Sequence, residues 1–173
     1  MFRFLCLMSV LLLTTPVLAS SAIDAAFKNA IAAFERAAPQ LGVESAGVDV
    51  AAYGNALRSR SFDSGFWGGS IRLDVVKRDT DEGSCSRFAA YVRIPPENGV
   101  IRLVICPEFV DQGNDGLRAL TILHEMVHVV AGPDECRAMA FAARVEFIAT
   151  GQYTPVERYW QVNGCHRSGY ALP

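Results

Sequence analysis

Asn114-Asp115-Gly116-Leu117-Arg118-Ala119-Leu120-Thr121-Ile122-Leu123-His124-Glu125-Met126-Val127-His128-Val129-Val130-Ala131-Gly132-Pro133-Asp134-Glu135 reads as one helix, a tight turn and the start of a second helix. Asn114 or Asp115 can cap the first helix, since their side chains accept hydrogen bonds from free backbone N–H groups. The helix runs to about Ala131, and Gly132-Pro133 ends it. Within it, His124-Glu125-Met126-Val127-His128 is an HExxH pattern. Residues four apart share a helix face, so both imidazoles can reach one ion. Glu125, one step round the helix, lies beside the ion's open position. Zinc (Zn2+) held by few protein ligands keeps a site for water and lowers that water's pKa toward neutrality. A carboxylate beside that water can take its proton and pass it to a leaving amine. The motif points to zinc-dependent hydrolysis, most often of peptide bonds. Five residues alone are weak support, because such a pattern arises by chance in about one chain in fifty of this length.

The turn supplies a third ligand. Two histidines and a water leave a tetrahedral zinc one protein ligand short. A bend at Gly132-Pro133 folds the next helix back across the first and brings Asp134 and Glu135 near the ion. Asp134 is well placed to cap that helix, which engages its carboxylate with N–H groups. Glu135 is longer, free, and aligned with the small residues Ala138 and Ala142. Glu135 is therefore the expected ligand, with Asp134 as the alternative. Both acids also suit a helix N-terminus electrostatically, and Asp134 fits that role better.

Around this centre the chain reads as α+β. Apolar residues at helical spacing (Ile23, Phe27, Ile31, Phe34) predict an N-terminal helix over residues 21–38, stopped at Pro39. A short helix is expected around residues 50–58. Strands are expected at 70–77, 87–94 and 100–106, the last two joined by a turn at Pro95-Pro96-Glu97-Asn98-Gly99. Residues 134–150 form the helix that carries Glu135, closed by Gly151. Thr154-Pro155-Val156-Glu157 has the form of a capping box and predicts a short last helix. The expected arrangement is an antiparallel sheet packed on the N-terminal helix, the HExxH helix and the helix after it.

The first residues speak to location. Met1-Phe2-Arg3 is a short positive segment, residues 4–13 are apolar, and Val17-Leu18-Ala19 offers small residues before a cut. This predicts a signal peptide over residues 1–19, a single domain over 20–173, and a secreted or periplasmic protein. The apolar run is too short to span a bilayer, so no membrane association is expected after cleavage. Arg3 is the only basic residue of the signal, so the mature balance is 15 basic against 18 acidic, or −3. That value gives no reason to expect nucleic acid as a partner. Oligomeric state is not legible.

Cys6 leaves with the signal, and Cys85, Cys106, Cys136 and Cys165 remain. An even number in an exported domain implies two disulfides. The expected pairs are Cys85–Cys106 and Cys136–Cys165, each closing a locally plausible loop. No pair has the close spacing of a cysteine zinc site.

The run Val100-Ile101-Arg102-Leu103-Val104-Ile105-Cys106-Pro107-Glu108-Phe109, then Leu120-Thr121-Ile122-Leu123-His124-Glu125-Met126-Val127-His128, then Gly132-Pro133-Asp134-Glu135, resembles the zincin metallopeptidases. It is most similar to the aspzincins, the deuterolysin and peptidyl-Lys endopeptidase group. Those have a strand ending in Cys-Pro-x-Phe, then HExxH, then Gly-Thr-x-Asp, whose Asp binds zinc. The resemblance covers about residues 100–150. It implies a small zincin-like domain, a peptide or protein substrate, and Glu135 at the ligand position. Glu135 stands where the family has Asp, Pro133 where it has Thr, and Ala138 where a Tyr is expected, so that tyrosine's role does not carry over. Asp134 falls where a metzincin places its third ligand, but the glycine that group has three residues earlier is Ala131 here. The subclass stays open.

In zincins the strand before the active helix pairs with extended substrate. The matching strand here is 100–106, readable either as an exposed edge or as a buried central strand. Tyr153, Tyr159 and Tyr170 are possible oxyanion donors, with half-buried packing as the ordinary alternative. Trp67 and Trp160 can line a pocket or anchor the core. Glu146, three turns after Glu135, can orient a ligand histidine or lie on the surface. His166 is expected at the surface beside Cys165. The combined expectation is a zinc metallopeptidase with His124, His128 and Glu135 as ligands and Glu125 as the group that activates water. The alternatives are a non-catalytic binding or inhibitory module on the same shell, and a zinc amidase acting on cell-wall peptides.

Overall fold

Helix α1 (Pro16–Leu41) crosses the back of the molecule and presents Phe27, Ala30, Phe34 and Ala37 to the core. The computed structural model describes residues 16–111 and 113–173. Most of the expected signal segment (residues 1–15) lies outside the described residues. The helix does not stop at Pro39 as expected. Proline lacks an N–H and costs one hydrogen bond, but here it sits in the last turn. Ala37 and Leu41, both buried, hold that turn against the core.

A two-stranded hairpin, β1 (Glu44–Ser45) and β2 (Val48–Asp49), leads into α2 (Val50–Ser59), close to its expected bounds. Asp49 caps it, accepting from Ala52 N at 2.8 Å. Strand β3 (Ser61–Asp63) and β4 (Ser70–Lys77) follow, then β5 (Ala90–Glu97) and β6 (Val100–Ile105). The β5–β6 turn is tighter than expected. Pro95 and Pro96 belong to β5, and Asn98-Gly99 alone makes the reversal, with φ of 51° and 73°. Asn and Gly tolerate those left-handed angles.

The four-stranded sheet has the order β3-β4-β6-β5. It is mixed, which corrects the antiparallel expectation: β4 and β6 run parallel, from Arg72↔Val100 to Lys77↔Ile105. The cause is the crossing made by residues 78–89. That segment passes the end of β6 and sets β5 on its far side, where the Cys85–Cys106 disulfide fastens it. Strand β6 can take the centre because Ile101, Leu103, Val104 and Ile105 are buried on both faces. It is therefore not the open edge. On this side of the sheet the edge is β5.

After β6 comes an unexpected short helix, α3 (Pro107–Asp111), and then α4 (Asp115–Ala131), α5 (Glu135–Thr150) and α6 (Glu157–Val162). Asn114 caps α4, accepting from Leu117 N at 2.8 Å. Helices α1, α4 and α5 pack on one another, and α4 also meets β5. The result is a small α+β domain with six α-helices and two sheets among the described residues. Both expected disulfides are formed, with Cα–Cα distances of 5.3 Å for Cys85–Cys106 and 5.2 Å for Cys136–Cys165. Among the described residues, no helix is long and apolar enough to cross a membrane.

Candidate metal centre

The middle of α4 is buried all round, and His124, Glu125 and His128 lie within it as the buried charged or titratable groups. Burying polar groups there is costly unless they are partnered. Helix geometry puts the two imidazoles on one face, with their Nε2 atoms 3.1 Å apart. The end of α4 makes the next contact. Gly132 adopts φ 87°, and a Cβ there would collide with the Phe66 ring. The chain turns at once, and the Gly132 carbonyl accepts from His128 Nδ1 at 2.9 Å. That bond places the proton on Nδ1 and leaves the Nε2 lone pair facing the site.

The turn delivers Glu135 as the first residue of α5. Its Oε2 lies 3.2 Å from His124 Nε2 and 3.4 Å from His128 Nε2. Asp134, the alternative, does not reach the cluster. It caps α5, accepting from Cys136 N and Arg137 N at 3.0 Å each. Three lone-pair-bearing atoms therefore converge, and a proton alone satisfies such a triangle poorly. The residues fit a metal ion. Ligands about 2.0–2.1 Å from a tetrahedral centre stand roughly 3.3 Å from one another, which matches all three separations. His124 turns its Nε2 to this centre, 3.2 Å from Glu135 Oε2, while its buried Nδ1 has no hydrogen-bond partner among the described residues. His124, His128 and Glu135 together could hold a metal ion.

Electrostatics follow from burial and crowding. Burial lowers the pKa of His124, favouring the neutral imidazole a metal requires. Burial also works against a charged His128, but Glu135 and Glu125 outweigh it and raise its pKa. For Glu135 burial opposes ionisation, yet hydrogen bonds with His124, His128 and Tyr159 hold its carboxyl well below the usual range. Glu125 is different. Burial pushes it up to about 8, with a hydrogen bond from the Val92 backbone as a partial counterweight.

Of the three tyrosines weighed as donors, Tyr159 is the one the fold brings to the centre. Its hydroxyl donates to Glu135 Oε2 and lies 3.5 Å from His124 Nε2, with the two rings edge to face. Burial first, and then Glu135, raise its pKa well above the tyrosine range, so it remains a donor. No motif marks it, because it arrives on α6 from 24 residues beyond Glu135. Tyr153 instead faces Glu157, and Tyr170 faces Arg137.

Glu146 does not touch a histidine. Its carboxylate accepts from Thr154 N at 2.6 Å and Thr154 Oγ1 at 2.9 Å. This explains the late start of α6: the Thr154 hydroxyl is spent on Glu146 and caps nothing. Residues 151–162 thus form a strap across the site. Glu146 fastens one end to α5, and the Cys136–Cys165 bridge fastens chain beyond the other to the residue after Glu135. Trp67 donates to Val129 O at 2.7 Å, and Trp160 is buried; both anchor the core. His166 is exposed.

The centre lies in a cleft of about 1100 Å³ between β5, α4 and the strap. The open edge of β5 forms one wall, with Ala90, Val92 and Ile94 among its lining residues. No protein-family model, no curated protein and no solved structure matches the chain.

Proposed function

We propose that this chain is an exported zinc-dependent peptidase of zincin-like build, with His124, His128 and Glu135 as the zinc ligands. The observation that carries the reading is the convergence of two imidazole nitrogens and one carboxylate oxygen at 3.1, 3.2 and 3.4 Å. Glu125 beside them on α4 is a carboxylate that none of the three needs as a ligand.

Zinc bound there supplies Lewis acidity and a water whose pKa lies near neutrality. Glu125, buried beside the ligands on α4, would take the proton of the attacking water and return it to the leaving amine. Tyr159 stays protonated, and its hydroxyl, released from Glu135 once that carboxylate is engaged by the metal, would offer its hydrogen bond to negative charge growing on the carbonyl oxygen. The substrate runs along the unpaired edge of β5, which takes the role the resemblance assigned to the strand at 100–106. The two disulfides support an oxidising compartment and hence export.

Metal analysis and a peptide library test the reading together. The purified protein binds one zinc per chain and cleaves peptides in a chelator-sensitive manner. A protein that binds no zinc overturns it.

A further inference from the structure

The cleft's rim carries large apolar side chains where water should disfavour them. Phe88 is 47% exposed, Leu117 43% and Val162 79%. They come from three separate elements: the segment entering β5, the first turn of α4 and the last residue of α6. All three line the same cleft. A single exposed apolar residue is ordinary, but three converging from different elements on one concavity mark a ligand surface.

Two arginines also reach the cleft. Arg87, whose guanidinium lies 5.4 Å from the Phe88 ring centre, and Arg158 on α6 both line the cleft, and neither is ion-paired among the described residues. Outside the centre itself, Glu108 is the acid that faces them. A peptide entering beside the open β5 edge therefore meets an apolar rim and two arginines without an ion-pair partner among the described residues.

We propose that the cleft selects an extended peptide with a large apolar side chain, received by Phe88, Leu117 and Val162, and an acidic neighbour attracted to Arg87 and Arg158. Its cleavage rests on the peptidase reading above; its binding does not. The selection runs against a lysine-directed site, because two arginines repel a lysine side chain. It also runs against small-residue peptides, which leave the apolar rim wet.

The test uses zinc-loaded Glu125→Gln protein and labelled peptides that differ at one position, with fluorescence anisotropy as the readout. A Phe or Leu peptide should bind about tenfold tighter than its Ala or Lys counterpart, the scale expected for apolar contacts in a pocket. An adjacent Asp should tighten binding further at low salt and lose that advantage at high salt. Leu117→Ala and Val162→Ala should each erode the apolar preference. Equal binding of all peptides, or tighter binding of the Lys peptide, overturns the proposal. Wild-type protein separates the two claims. Cleavage confined to sites without a large apolar residue overturns the selection and leaves hydrolysis standing. Apolar-selective binding with no cleavage of any peptide overturns hydrolysis and leaves the selection standing.

Discussion

Tyr159 donates its hydroxyl hydrogen bond to Glu135, the carboxylate that converges with His124 and His128, although the two residues lie on different helices, 24 positions apart. This contact joins the strap to the candidate metal centre. It brings a polar donor to the site without using any residue of the HExxH helix.

Removing that hydroxyl should weaken turnover more than binding. Tyr159→Phe keeps the ring against His124 and deletes only the donor. Loss of one transition-state hydrogen bond of this kind costs about a hundredfold in kcat. Steady-state kinetics at saturating zinc should show a fall in kcat with KM nearly unchanged. A rise in KM alone would place Tyr159 in substrate binding instead.

The strap should behave as a fastened unit. Glu146→Ala releases Thr154, whose N–H and hydroxyl both bond that carboxylate. Hydrogen bonds to a charged group contribute about 1.5–3 kcal/mol each when intact, so the melting temperature should drop measurably. Because Glu146 touches no ligand, zinc stoichiometry should stay at wild type while kcat/KM falls. Glu146→Gln, which retains an acceptor, should restore part of it. Replacing Cys136 and Cys165 by alanine frees the other fastening and should cost about 2–4 kcal/mol of stability.

Stability of the zinc-free protein should fall as pH rises from 6.5 to 8. Glu125 has a folded pKa of about 8, above its ordinary 4.5. Its contribution is fully present below the unfolded value and is lost as pH climbs to the folded one. His128, also raised, acts in the same direction above 6.5. His124 and Glu135 are lowered, so their contributions are lost only as pH falls below their ordinary values. Urea unfolding of chelator-treated protein should show this slope, and Glu125→Gln should flatten it. Parallel slopes in the two proteins would show that Glu125 is not held protonated by burial.

Much of this centre is written in local sequence. The HExxH spacing, the Asn114 cap and the Gly132-Pro133 turn act over a few residues, and they place His124, His128 and Glu135 as expected. The choice between Asp134 and Glu135 was also local, since one carboxylate cannot both cap α5 and reach the centre. The cysteine pairs followed from loop closure. What escaped reading depends on chain-wide placement. The parallel pairing of β4 with β6 is set by where residues 78–89 cross, which no periodicity records. Pro39 looked like a stop, but tertiary packing of Leu41 outweighs one lost hydrogen bond. Thr154 looked like a cap until a distant carboxylate claimed it. Tyr159 is one of three candidate tyrosines in the sequence, and its place beside Glu135, rather than that of Tyr153 or Tyr170, depends on a strap held by Glu146 and a disulfide.

The most direct test compares peptide hydrolysis by wild-type and Glu125→Gln proteins at matched zinc occupancy. Glutamine preserves shape but cannot accept and return a proton. The rate should fall by about a hundredfold or more, the usual contribution of a general base, with zinc content unchanged. A Glu125→Gln protein that holds its zinc and cleaves at the wild-type rate would contradict the account.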